Sequence, residues 1–383
     1  MPDEDHPERP SVLWRGASTL TTTVVGAFAR TFLFTFCKLE IHGLEAFIDL
    51  LESRWDVNGR QRGLITVSNH LSVLDDPLIW GPLPFKFFRS PDNLRWSMGS
   101  YDICFNQTKI ESAFFTFGQL LPTHRSRHSP FGGLFQPTVT QAIRLLSEGP
   151  FPKPYNYHAT PESPVPRKSF SKPDLADPFS SGNLTYTTNG YDVFPAPSAY
   201  LNRRHAWVHI FPEGKVHQMP DLNMRYFKWG IARLILESEP CPDVVPLWFE
   251  GMEQVMDEER GSPRFLPRIG KRVSITYGDA LDVDKVFGDL RERWKRLYNK
   301  EIKRLGESRK LDMGVLNDEL KYGKEAVDLR TECTMRVRKE VLKLRIARGR
   351  SDEDPKWSLV ETYALEGKKE EGKMDDGSIV KDM

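Results

Sequence analysis

The sequence is poor in cysteine, has no surplus of either charge and offers one apolar stretch of membrane length. Its four cysteines, Cys37, Cys104, Cys241 and Cys333, stand far apart without a Cys-x-x-Cys pair. That spacing argues against a zinc knuckle and a dense disulfide framework, so free or buried thiols are expected. Lysine and arginine number 54 against 53 aspartates and glutamates, and a balanced chain gives no reason to expect nucleic acid as a partner. An anionic ligand must instead be met by a local cluster of cations. No Gly-x-Ser-x-Gly turn is present, which argues against a serine hydrolase and leaves Ser68 and Ser72 structural. His205, His209 and His217 are close enough to suggest a metal but lack a clear carboxylate or cysteine companion. Satisfied surface histidines, and no metal, are expected.

What is present is enough apolar sequence, in 383 residues, for one large domain with appendages. Strand-like runs occupy 64–68, 119–123, 207–211, 244–248 and 273–277, separated by helical patterns such as Val139, Ala142, Ile143 and Leu146. Strands alternating with helices predict an α/β fold, a mixed sheet flanked by helices, here assigned to 46–285. Val273, Ile275 and Tyr277 alternate with Ser274 and Thr276, the pattern of a strand near an edge with one wet face. A proline-rich insert at 150–200 interrupts the domain. Ten of the 28 prolines fall between Pro150 and Pro197, no apolar period survives there, and poor order is expected. Leu290, Trp294, Leu297 and Leu305, then Leu329, Cys333, Val337, Val341 and Leu344, predict a C-terminal helical extension over 286–350 with its Lys and Arg on a solvated face. Residues 351–383, with ten acids to five bases, are expected to stay disordered.

Residues 1–45 read as an N-terminal tail and membrane-associated segment. The stretch 17–37 carries a single charge, Arg30, but is diluted by Ser18, Gly26 and several threonines. A helix lying in or dipping into the interface suits it better than a strongly inserted span. Phe28, Phe32 and Phe34 are its expected lipid contacts. Asp3, Glu4, Asp5 and Glu8 precede it, a start too acidic for a cleavable mitochondrial presequence, so the segment is expected to remain on the mature chain.

Chemistry concentrates in Asn69-His70-Leu71-Ser72-Val73-Leu74-Asp75-Asp76-Pro77, just after the strand at 64–68. His70 can act as a base near neutral pH, and Asp75, brought back by a turn, can fix its tautomer. Taken alone, the pair is better explained by a helix-capping or core histidine and, for Asp75, an N-terminal cap before Pro77. Asp76 is a further candidate cap for a helix beginning at Pro77. A second block, His209-Ile210-Phe211-Pro212-Glu213-Gly214-Lys215-Val216, also ends a strand. Glu213 and Gly214 are expected to shape a ligand site, Arg125 to grip a phosphate with its planar fork, and Lys215 to add a point charge. The run from Tyr226 to Leu236 reads as a core helix whose Phe227, Lys228 and Trp229 also suit a membrane interface.

These blocks, with Arg125 between them and Val244-Val245-Pro246-Leu247 after them, resemble the glycerolipid acyltransferases in kind and in order. Within that superfamily, Asp75-Asp76-Pro77, the 209–216 block and Phe227-Lys228-Trp229-Gly230-Ile231 resemble the tafazzin family of phospholipid–lysophospholipid transacylases. Lys215 stands where the superfamily usually has a hydroxyl residue, which favours that branch. The resemblance implies an α/β acyltransferase domain with His70 as general base oriented by Asp75. It also implies acyl transfer between phospholipids and lysophospholipids without CoA or any other cofactor, remodelling cardiolipin from monolysocardiolipin with donors such as phosphatidylcholine. The implied location is the mitochondrial membranes facing the intermembrane space, the outer leaflet of the inner membrane and the inner leaflet of the outer, with mitochondrial protein complexes as further partners. Two alternatives stay open: a CoA-dependent lysophospholipid acyltransferase and a non-catalytic membrane-shaping or scaffold protein.

Overall fold

A computed structural model of the chain describes residues 8–106, 108–151, 184–306 and 311–364, and two short backbone strands, 372–373 and 379–380. Seven strands form the central sheet: β1 (Lys38–His42), β2 (Leu64–Val67), β3 (Trp96–Ser100), β4 (Leu120–Thr123), β5 (Trp207–Ile210), β6 (Asp243–Glu250) and β7 (Arg272–Tyr277). Their order is β1-β7-β6-β2-β5-β3-β4. The sheet is mixed: only β6 and β7 run antiparallel, and every other neighbouring pair is parallel. Parallel strands need crossovers that cover both faces, which is why Leu64–Val67 and Trp207–Ile210 are buried at every position.

The helices that cover the sheet or carry the site include α1 (Val12–Phe36), α2 (Leu44–Ser53), α3 (Asp75–Leu78), α4 (Lys109–Phe117), α5 (Pro137–Leu146), α6 (Gly230–Glu237), α7 (Val283–Leu305) and α8 (Lys324–Ala347). α6 packs against both α5 and α8, with α5 against β5 and α8 against β6. On the other face an aromatic cluster fills the core: Phe47 of α2 lies 5.0 Å from Tyr277 and 5.6 Å from Trp207, and Trp80 meets Trp207 edge-on at 4.8 Å. The cysteines are thiols and not disulfides, with Cys104, Cys241 and Cys333 buried and Cys37 half-buried.

α1 packs along the domain by a seam of small residues. Ser18, Thr22, Gly26, Ala29 and Leu33, at spacings of three and four, are buried. Ser18 donates to Phe117 O at 2.8 Å and Thr22 to Phe88 O at 2.7 Å. A Cβ on residue 26 would fall 2.3 Å from the Phe88 ring, so only glycine fits there. Arg30 directs its charge at the carbonyls of Gly81, Pro82 and Leu83. Leu20, Val24, Phe28 and Phe34 face outward, whereas Phe32 packs into the core and is no lipid contact. By length and composition α1 could cross a membrane, but its docked face leaves only the opposite stripe for lipid.

Several expectations change. The strand at 273–277 lies near the edge, with only β1 outside it, but it has no wet face, because Ser274 and Thr276 are buried. Most of the proline-rich insert, 152–183, lies outside the described residues, but its end folds. Strands Thr185–Tyr186 and Phe194–Pro195 form a hairpin whose Tyr186 and Phe194 join Cys104 and Phe105 in a second apolar cluster. The C-terminal helices do not present all their cations to solvent. Arg330, Arg338 and Arg345 of α8 are buried because each guanidinium meets backbone carbonyls, and Arg338 also pairs with Glu353. That pair and Tyr363, 6% exposed, order residues 351–364 of the acidic tail; most of 365–383 lies outside the described residues.

Arg338→Met should therefore leave a buried Glu353 carboxylate unpaired and cost about 3–5 kcal/mol of stability. Arg338→Met combined with Glu353→Leu should recover part of it, as read by denaturant unfolding. Equal loss in the single and double variants would refute the assignment of that cost to the stranded charge.

Candidate functional site

β2 ends at the carboxyl edge of the sheet, and the loop after it carries His70 and Asp75. Asn69 imitates a strand residue: its side chain donates to Phe249 O and accepts from Phe249 N–H, both at 3.0 Å, tying the loop to β6. Asp75 is fully buried at the start of α3. Its Oδ2 accepts the amides of Leu71 at 2.6 Å and Ser72 at 2.9 Å, and lies 2.9 Å from His70 Nδ1. With Nδ1–H donated to a carboxylate, the lone pair of the neutral imidazole is on Nε2. The His70 side chain keeps 20% of its surface accessible, and its ring stacks on Phe211 at 4.2 Å and 22°.

The second block holds this loop from the β5 side. Glu213 is 1% exposed. One of its oxygens accepts His70 N–H at 2.9 Å and the other Arg225 N–H at 2.8 Å. His217 N–H donates to His70 O at 2.9 Å. Glu213 thus positions His70 through its backbone, holding together the two loops that border the imidazole. Gly214 has φ +70°, which lets the chain reverse where a side chain would collide with Lys228.

The three histidines expected on the surface are buried: His205 at 4%, His209 at 0% and His217 at 6%. His209 is held by Thr66 Oγ1 at 2.8 Å and meets Trp80 edge-on at 4.9 Å. Burial pushes its pKa down to about 3 against the attraction of Asp76, so it is a neutral core residue. Among the described residues no three His, Cys, Asp or Glu side chains group as a metal site.

Asp76 staples α3 to β3 and does not cap the helix. It accepts from Ser97 Oγ at 2.8 Å and Trp80 Nε1 at 3.2 Å and forms a two-nitrogen pair with Arg95. Burial alone would raise its carboxyl, but the Arg95 charge and the hydrogen bonds from Arg95 and Ser97 hold it below the usual aspartate range. Arg125 is braced by Asp102, which accepts from Nε at 3.2 Å and from Nη2. Arg125, Lys215 and Arg225 all act on Lys228, so these cations share one region. Phe227 is 5% exposed and belongs to the core, not to a lipid contact; Trp229 is half-buried. Sequence reasoning missed Asn69, Phe211 as the platform under His70, and Tyr363, whose ring lies 5.5 Å from His217 and 4.3 Å from the Arg225 guanidinium. Only the position of Asn69, between a strand and the histidine, offered a local signal.

No protein-family profile matches the chain. Tafazzin of Saccharomyces cerevisiae is 36% identical over 352 residues, covering 89% of this chain and 81% of that protein. Tafazzin of Drosophila melanogaster is 28% identical over 284 residues, 74% of this chain and 56% of that one. The N-acylphosphatidylethanolamine synthase of Arabidopsis thaliana is 28% identical over 262 residues, covering 68% of this chain and 69% of that one. A solved 1-acyl-sn-glycerophosphate acyltransferase of Thermotoga maritima superposes loosely, with a TM-score of 0.37 at 15% identity over 77% of this chain and 81% of that one. The extent and identity of the yeast match decide the family: this chain is a phospholipid acyltransferase and belongs to the tafazzin family.

Proposed function

We propose that the chain exchanges acyl groups between phospholipids and lysophospholipids without CoA, using His70 as the general base and Asp75 as its orienting acid. The observation that carries this reading is the accessible imidazole whose Nδ1 lies 2.9 Å from a buried carboxylate. A lysolipid hydroxyl has too high a pKa to attack an ester unaided. His70 Nε2 takes its proton as the oxygen bonds to the carbonyl carbon, and Asp75 stabilises the imidazolium. Collapse of the tetrahedral intermediate returns that proton to the departing glycerol oxygen. Ester is exchanged for ester, so no external energy source is needed and one base serves both directions.

Monolysocardiolipin as acceptor, phosphatidylcholine as donor, cardiolipin as product, and residence on mitochondrial membranes facing the intermembrane space with mitochondrial protein complexes nearby follow from family membership and are part of the proposal. The outward stripe of α1 supports membrane attachment: Leu20, Val24 and Phe28 are 66%, 57% and 52% exposed, beside Ile110 and Phe114 of α4, which packs on α1. The division into a tail at 1–45, a catalytic domain at 46–285 and an extension beyond it is likewise proposed, with Arg125, Glu213, Gly214 and Lys215 around the substrate.

His70→Ala should lower acyl exchange by roughly 100-fold or more while the protein stays folded, and Asp75→Asn should be impaired but retain more activity. Near-wild-type turnover in folded His70→Ala would remove the mechanism. Purified protein given phosphatidylcholine with a labelled acyl chain and monolysocardiolipin, with every thioester omitted, should move the label; transfer that begins only after acyl-CoA is added would promote the CoA-dependent alternative. Val24→Asp with Phe28→Asp should weaken sedimentation with phospholipid vesicles without altering thermal unfolding in solution, and unchanged vesicle binding would place the membrane contact elsewhere.

A further inference from the structure

Lys228 has surroundings that suit a ligand better than a bilayer. Its amide donates to Pro212 O at 2.7 Å. Its side chain lies over Gly214 so closely that a Cβ there would stand 2.7 Å from both Cε and Nζ. Glycine at 214 therefore serves the left-handed turn and also seats the lysine. The lysine is accessible to solvent, and among the described residues no acid pairs with it. The protein packed around it lowers its pKa, followed by the repulsion of Arg225, Arg125 and Lys215, and no carboxylate is among the groups that act on it. The nearby carboxylates are committed: Asp102 to the Arg125 guanidinium, and Glu213, with both oxygens, to the amides of His70 and Arg225. A lysine that reaches solvent, held among other cations with no carboxylate beside it, is an anion site.

That site is coupled to the base. Phe211, stacked on the His70 ring, and Gly214, under Lys228, are the two ends of one turn closed by Gly214 N–H to Phe211 O at 3.0 Å. In a lysophospholipid the reacting hydroxyl and the phosphodiester belong to one glycerol unit, so a cation one turn from the base can fix which hydroxyl reaches it. We propose that Lys228 is a substrate-binding residue that holds the phosphodiester of the lysophospholipid whose hydroxyl reacts at His70. The proposal rests on the acyl-exchange reading above and adds the group that orients the acceptor.

The test uses the full chain in detergent–phospholipid mixed micelles, with lysophosphatidylcholine or phosphate-free monoacylglycerol as acceptor. Lys228→Gln should raise KM for lysophosphatidylcholine about tenfold with kcat within about threefold, the loss of one charge-assisted contact. Lys228→Arg should restore KM, and rates with monoacylglycerol should not change. An unchanged KM, or equal loss with the phosphate-free acceptor, overturns the proposal. Vesicle sedimentation of Lys228→Gln should match wild type; a parallel loss of vesicle binding would make Lys228 a membrane contact and overturn it also. Calorimetric titration with glycerophosphocholine separates this proposal from the acyl-exchange reading. Even if wild type exchanged no acyl groups, binding about tenfold weaker in Lys228→Gln would support the site, and equal binding or none to wild type would refute it. Inorganic phosphate titrated in parallel should bind more weakly than the diester; tighter binding would assign the site to free phosphate and not to lipid.

Discussion

An imidazole is a directed base only if its second nitrogen is held, and here one oxygen does that holding. Asp75 Oδ2 receives His70 Nδ1 and the amides of Leu71 and Ser72. A carboxylate without solvent contact is costly unless donors surround it, and the two amides that satisfy it come from the loop that carries the histidine. The curl of residues 70–75 and the aim of the imidazole are thus one event. The loop cannot relax without stranding a buried charge. The rest of the fold anchors that loop to the sheet: Asn69 to β6, His70 through Glu213 and His217 to the chain after β5, and Leu71 O to Gln218 at 2.7 Å.

The same logic continues outward from Glu213. Its second oxygen fixes Arg225 N–H, and the carbonyls of Met224 and Arg225 accept from Arg338 of α8, while Met224 N–H reaches Glu353 at 2.6 Å. Arg345, two turns further along α8, meets Leu222 O, Asp221 and Asn223. A segment without regular strand pairing, 221–228, is thereby held by buried guanidinium groups in place of a strand ladder. Buried ion pairs contribute little net stability but penalise every arrangement that separates them, which is what a loop between two functional blocks requires. The C-terminal helices are accordingly part of the unit that fixes His70, and Arg338 and Glu353 are coupled to it by an unbroken series of hydrogen bonds.

Much of this was readable from the chain. The strands at 64–67, 120–123, 207–210, 243–250 and 272–277 announce themselves by apolar runs, and α5 and α8 by their periods. His70 and Asp75 meet because five residues are enough for one turn. What escaped was set by partners distant in sequence. β3 contains Gly99 and Ser97 and few β-formers, and it is a strand because β5 and β4 lie on either side of it. β1 was hidden at the end of an apolar segment and exists by pairing with β7. Arginines on α8 look solvated in a sequence, because nothing local reveals that carbonyls of 221–225 will meet them. Glu213 was found without its partners, since a motif records that a carboxylate is needed and not which amides it satisfies.

The composition of α1 has a physical reading that joins these points to the membrane. Serine, threonine and glycine at 18, 22 and 26 make the segment a poor span, yet they are its docking seam, where close approach to Phe88 and Phe117 replaces lipid. The seam ends on Ala29 and Leu33 against Gly81, and Arg30 grips the carbonyls of 81–83. That stretch follows α3 directly, and α3 begins with Asp75. α1 is therefore joined through a few packed residues to the Asp75 carboxylate that holds His70, and its outer stripe is the one proposed above to rest in a leaflet. On the acyl-exchange reading, this sets the imidazole at a fixed place relative to the bilayer. A lipid then reaches His70 by moving within its leaflet and avoids exposing its chains to water, a cost of about 0.8 kcal/mol for each methylene.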